Sequence, residues 1–166
     1  MIDPDPSSMP TLPSFVDLLD VDRVFVRDPG GSKAEVLQRS ADRLAGSALV
    51  TDRARLASDL EAREQRLSTG VGEGLALPHA RTPAVSGTVA TLATLSEPVE
   101  WSALDGEPVD LVVTFAAPES EPGQHVRLMA QISRVLSAPG VRDRLADAGS
   151  AYAALEVVRD AESSFR

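Results

Sequence analysis

Ser68-Thr69-Gly70-Val71-Gly72-Glu73-Gly74-Leu75-Ala76-Leu77-Pro78-His79-Ala80-Arg81 is the stretch around which the chain is organised. Its alternate glycines allow positive φ, or close approach of the backbone to another group. Leu75 to Leu77 reads as a short buried strand. Pro78 fixes φ and has no N–H, so it ends ordinary ladder pairing and His79 is expected at a strand end. In α/β proteins, groups that bind or react gather at such ends. His79 is one of only two histidines; the other is His125.

Upstream, Ser14 is placed to cap a short helix carrying Phe15, Leu18 and Leu19. Val24-Phe25-Val26 reads as a strand closed by Asp28-Pro29-Gly30-Gly31. Ser32 caps a helix with Val36, Leu37, Ala41, Leu44 and Ala45 as its apolar positions. Thr51-Asp52 caps another, with Leu56, Ala57, Leu60, Arg63 and Leu67 on one face. Arg63 follows Leu60 by three and Leu56 by seven, so it shares their inward side. Two readings stay open for it. It is an arginine at the rim whose head reaches water, or one aimed at an anion.

Downstream, Thr88 to Leu95 reads as a central strand covered on both faces, and Glu97-Pro98 is expected to break it. Val99 to Trp101 is a short extended piece, and Asp105 to Pro108 a turn. Asp110 to Ala117 is the strongest buried strand. Pro118 to Gly123 reads as a loop. Gln124 to Ser137 is an amphipathic helix whose apolar face takes His125, Leu128, Met129, Ile132, Val135 and Leu136. Two short helices follow, Val141 to Ala148 and Tyr152 to Arg159. Interleaved strands and helices give the α/β class, with a small sheet covered by helices. The expected organisation is a loose proline-rich arm over 1–13 and one domain over 14–162.

Composition limits the partners. The 166 residues carry a net charge of -9, which opposes nucleic-acid binding but not a protein with a basic patch. There is no cysteine, hence no disulfide and no thiolate nucleophile. No apolar run approaches the roughly 18 residues of a membrane span. Met1-Ile2-Asp3-Pro4-Asp5 lacks the basic and apolar regions of a signal peptide, so a cytoplasmic protein is expected. The glycine pattern fails as a dinucleotide loop, because Pro78 follows where a helix should start. No G-x-S-x-G elbow is present for a serine hydrolase. A metal held by His79 and His125 would need further ligands that do not cluster in the sequence, so neither metal nor cofactor is expected.

Ser68 to Arg81 resembles the phosphorylation site of the fructose/mannitol-type IIA domains (EIIA type 2) of the bacterial sugar phosphotransferase system, whose pattern runs S-T-G-x-G-x-G-x-A-x-P-H-x-R. Arg63-Glu64, Asp105-Gly106-x-Pro108-Val109-Asp110-Leu111-Val112 and His125-Val126-Arg127-Leu128-Met129 extend the resemblance, which runs from about Leu18 to about Arg159. It implies a mixed sheet flanked by helices. It also implies a transferase that takes phosphate from the phosphorylated carrier protein HPr on Nε2 of His79. The phosphate would pass to a cysteine of a IIB component, here on a separate chain, and so to fructose- or mannitol-type sugar uptake. Association with a IIC transporter at the membrane surface would be peripheral. The resemblance also covers a regulatory branch, nitrogen-related, in which the phosphorylation state of the same histidine controls protein partners.

The chemistry of the residues fits such a relay. Neutral imidazole, with an ordinary pKa of about 6.5, is nucleophilic near neutral pH and forms a labile phosphoramidate. Fixed donors must meet the charge on the phosphoryl oxygens. The candidates are Arg63, Arg81, the hydroxyls of Ser68 and Thr69, the backbone of the glycine-rich stretch around Gly72, and His125 at a helix start. The resemblance places His125 and Arg63 beside His79. A packed helix-face histidine, a solvated Arg81, and Ser68 and Thr69 as plain turn residues remain the alternatives. Ala80 departs from the glycine found there in many relatives.

Overall fold

The computed structural model describes residues 13–120 and 122–165; the expected arm therefore lies, but for Pro13, outside the described residues. Six strands, β1 (Val24–Asp28), β2 (Gly70–Gly72), β3 (Leu75–Ala76), β4 (His79–Arg81), β5 (Val89–Val99) and β6 (Val109–Ala117), form one sheet. Its order is β1-β5-β6-β3-β2, with β4 also on β6. Pairing is mixed: β1 with β5 and both β3 and β4 with β6 run parallel, whereas β5 with β6 and β2 with β3 run antiparallel. Among the described residues six α-helices surround it: α1 (Phe15–Leu18), α2 (Lys33–Leu44), α3 (Arg53–Arg66), α4 (Pro122–Leu136), α5 (Val141–Asp147) and α6 (Ala151–Ser163).

The two-residue period of the central strands assigns the layers. Ala90 and Leu92 of β5, with Leu111, Val113 and Phe115 of β6, face α1 and α4 to α6. Val89 and Ala93 of β5, with Val112 and Ala116 of β6, face α2 and α3. Both faces are covered, so these strands read as near-continuous apolar runs. Thr114 sits within this core with its hydroxyl buried and without a hydrogen-bond partner among the described residues. A buried, unpaired hydroxyl costs about 1–3 kcal/mol. Thr114→Val should therefore stabilise the protein by about 1 kcal/mol, read as a rise in Tm of about 2–4 °C. A lower Tm would show that the hydroxyl is satisfied.

Local signals set the helix starts. Ser32 Oγ accepts from the amide of Glu35, Asp52 Oδ1 from that of Arg55 and Ser150 Oγ from that of Ala153. Three expectations are corrected. Ser14 makes no side-chain cap; the buried carboxylate of Glu162 on α6 accepts from the amides of Phe15 and Val16 at 2.8 Å each. Glu97-Pro98 does not end β5, which continues to Val99 through a register shift between Thr94 and Val99; an irregularity of this kind tolerates a proline. The expected loop up to Gly123 is cut short because Pro122 opens α4, where its missing N–H is no loss.

The decisive stretch also folds differently from a simple strand end. β3 pairs Leu75 with Leu111, and β4 pairs His79 with Phe115, the same offset on either side of Pro78. Pro78 removes a donor but keeps the register, and its carbonyl still accepts from Phe115 N at 3.1 Å. His79 thus resumes the ladder near the carboxyl end of β6. The glycines build a β2–β3 hairpin instead of a loop facing His79. Glu73 and Gly74 both have positive φ (55° and 78°), as a two-residue primed turn requires. At Gly70 a Cβ would lie 2.7 Å from that of Ala103, so only glycine fits.

Candidate functional site: an imidazole in an arginine-lined groove

A groove of about 500 Å³ opens where α3, β4 and the start of α4 meet. His79, Ala80 and Arg81 enter from β4, Arg55, Asp59, Ala62, Arg63 and Arg66 from α3, Glu119 from the loop after β6, and His125 from the first turn of α4. On α3 the polar members recur at helical spacing, so one face of the helix delivers them together. Arg55 is neutralised on the spot. Its Nε lies 2.9 Å from Asp59 Oδ2, and the same oxygen accepts from the Thr82 hydroxyl at 2.6 Å.

His79 is buried, with 7% of its surface exposed. Its ring stacks on Phe115, its register partner, at 5.2 Å between centroids and 11° between planes. The His125 ring lies 6.2 Å away, at 27°. Nδ1 of His79 is 2.8 Å from the Leu77 carbonyl oxygen. A carbonyl only accepts, so Nδ1 carries the proton and the lone pair of the neutral ring is on Nε2. Burial, the largest influence, lowers the His79 pKa, and Arg63 and His125 lower it further; the Leu77 carbonyl and Glu64 act in the opposite direction. The ring is neutral, and hence nucleophilic, at pH 7.

Between the lowered folded pKa and the ordinary value of about 6.5, the unfolded chain binds a proton that the folded chain does not. Stability therefore falls as pH drops through that window. An NMR titration of the histidine ring should place the His79 midpoint below about 6.5, with Nδ1 protonated throughout. A midpoint at or above that value would contradict the burial account.

Arg63 stands in the last turn of α3 and donates from Nη1 to the Leu67 carbonyl at 2.9 Å. That bond satisfies an orphan carbonyl of the helix end and fixes one edge of the guanidinium. Arg63 is half-buried at the rim, as its place on the apolar face predicts, and it lines the groove. Arg81 is exposed and lines the groove too.

The structure brings His79, His125, Arg63 and Arg81 together, but it does not bring Ser68, Thr69 or Gly72 into the groove. The Ser68 hydroxyl donates to the Trp101 carbonyl at 2.9 Å, and the buried Thr69 hydroxyl donates to Glu64. Gly72 belongs to the hairpin, beside Asp105. Arg55, Asp59 and Arg66 were not singled out from sequence. The signal for them was the polar stripe at spacings of three and four running through Arg63. Ala80 turns its methyl into the cluster of Leu56, Leu60, Val89 and Ala116, so the departure from glycine fills core space. Among the described residues no three His, Cys, Asp or Glu side chains gather to hold a metal ion, and no helix is long and apolar enough to cross a membrane.

The fold is thus a mixed-sheet α/β domain whose groove sets a carbonyl-oriented imidazole among arginines. The model of the family described as "Phosphoenolpyruvate-dependent sugar phosphotransferase system, EIIA 2" matches residues 17–161, and the chain belongs to that family. It is 37% identical over 146 residues to a nitrogen regulatory protein of Pseudomonas aeruginosa, spanning 88% of this chain and 95% of the relative. It is 32% identical over 150 residues to the mannitol-specific phosphotransferase enzyme IIA component of Staphylococcus aureus, spanning 89% and 99%. Among solved structures, the nitrogen regulatory protein IIA-Ntr of Neisseria meningitidis superposes with a TM-score of 0.77 at 28% identity, covering 86% of this chain and 97% of that one.

Proposed function

We propose that this chain is a phosphoryl carrier that accepts phosphate on Nε2 of His79 from phosphorylated HPr and passes it to a second protein. The observation that carries the reading is the 2.8 Å contact of Nδ1 with the Leu77 carbonyl, which leaves the Nε2 lone pair available. In the acceptance step, Nε2 attacks phosphorus, the donor's P–N bond breaks and its electron pair returns to the donor nitrogen. Nδ1 keeps its proton, so the phosphorylated ring gains positive character, which the Leu77 carbonyl stabilises. Arg63 and Arg81 meet the phosphoryl oxygens, and His125 lies beside the ring to orient it or hold the phosphate. In the onward step a thiolate attacks phosphorus and the electron pair returns to Nε2.

The acceptor in the transport reading is a cysteine of a IIB component on another chain, serving fructose- or mannitol-type sugar uptake. A second reading has specific support. The Pseudomonas nitrogen regulatory protein is 37% identical and is covered over 95% of its length. In that reading the phosphorylation state of His79 controls binding to protein partners. Incubation of the phosphorylated chain with purified IIB and sugar separates the two. Sugar phosphate formation supports transport; a stable phosphoprotein with phosphate-dependent partner capture supports regulation. Failure to take up phosphate from HPr rejects both.

A further inference from the structure

Behind the groove lies a buried charge that the relay does not use directly. Glu64 follows Arg63 in α3 and is 6% exposed. Its Oε1 lies 2.6 Å from Lys33 Nζ of α2 and accepts from Thr69 N at 3.0 Å, while Oε2 accepts from the Thr69 hydroxyl. Lys33 also donates to the Trp101 carbonyl at 3.1 Å. The Thr69 carbonyl accepts from Leu77 N at 3.0 Å, and the Leu77 carbonyl accepts from His79 Nδ1 at 2.8 Å. A continuous polar chain thus runs from Lys33 through Glu64, Thr69 and Leu77 to the imidazole.

Stability alone does not account for this pair. Taking the Glu64 carboxylate out of water costs several kcal/mol, and Lys33, its partner, still has 27% of its side chain exposed, so the attraction between them is partly screened. The pair is placed to do something else. The chain must leave α3 after Arg66 and enter β2 at Gly70, and Glu64 clamps Thr69 inside that turn. The same turn holds the Leu67 carbonyl that anchors Arg63.

Resting on the carrier reading above, we infer that the Lys33–Glu64 pair is the positioning unit of this site: through Thr69 and Leu77 it fixes the His79 ring with Nε2 toward the groove, and it keeps Arg63 at the groove's rim. Neither residue touches the phosphoryl group. Glu64 also acts on the imidazole through its charge, which favours the protonated ring.

Two variants test this. Glu64→Gln keeps the shape and removes the charge. Lys33→Met with Glu64→Leu removes both charges together and leaves no unpaired buried ion; the Thr69 amide and hydroxyl lose their acceptor, so its Tm should fall while circular dichroism shows the fold retained. In both, NMR of the His79 ring should show a lower titration midpoint and a weakened preference for the Nδ1–H tautomer. Phosphate uptake from HPr should slow about tenfold or more. Lys33→Arg, which preserves the pair, should restore near-parental values. A folded variant of either kind with the parental midpoint, tautomer and uptake rate overturns the inference. The ring measurements do not depend on phosphate transfer, so a parent protein that takes up no phosphate would reject the carrier reading while the positioning role is still decided.

Discussion

His79→Ala should take up no phosphate from phosphorylated HPr while keeping its fold. The alanine has no lone pair to form the covalent intermediate, and no neighbouring group can supply one from the same place. His125 is the nearest substitute, yet its ring is centred 6.2 Å away and it stands on another element. The structural cost is modest. The imidazole contributes ring contacts with Phe115 and His125 and one hydrogen bond to the Leu77 carbonyl, so its loss should cost about 1–3 kcal/mol. Radiolabel transfer and circular dichroism on the same sample read both halves of the prediction. Retained labelling in a folded variant would reject the assignment.

Arg63→Lys should accept phosphate about 10²-fold more slowly, the scale of losing one fixed donor at a developing charge. An ammonium keeps the charge but not the guanidinium fork. In the native protein the fork divides its work. Nη1 is spent on the Leu67 carbonyl, and the other N–H groups remain for the groove. Lysine can satisfy the helix end or the phosphate, not both. Because the positive charge remains, the His79 titration midpoint should move little in Arg63→Lys. In Arg63→Ala it should rise, since Arg63 lowers the His79 pKa. Uptake by the lysine variant at the parental rate would show that charge alone suffices and that the fork has no role.

These expectations separate what the sequence displays from what only the folded chain contains. β5 and β6 were legible because Leu92, Val113 and Phe115 lie in short, near-continuous apolar runs broken by Thr91, Thr94 and Thr114, the pattern of a strand covered on both faces. The starts of α2 and α3 were legible because their caps are local: Ser32 serves Glu35 and Asp52 serves Arg55. His79 was legible because Pro78 and the glycines before it mark a special backbone. What was hidden depends on partners far away in the chain. Glu162 caps α1 from about 146 positions on, and no rule of spacing announces it. Pro78 looks like the end of a ladder, but β6 alongside carries the register through to His79. From the motif, the hydroxyls of Ser68 and Thr69 fit either phosphate ligands or plain turn residues. Their actual neighbours, Trp101 and Glu64, come together only when α2, α3 and the loop after β5 pack.

Phosphoryl transfer to this chain should end on Nε2 of His79. The measurement closest to it is incubation with phosphoenolpyruvate, the first enzyme of the phosphotransferase system and HPr, followed by mapping of the modified atom by mass spectrometry and 31P–15N NMR. One phosphate is expected, on Nε2 of His79, with Nδ1 still protonated. Phosphate on His125 or on a hydroxyl, or none at all, would contradict it.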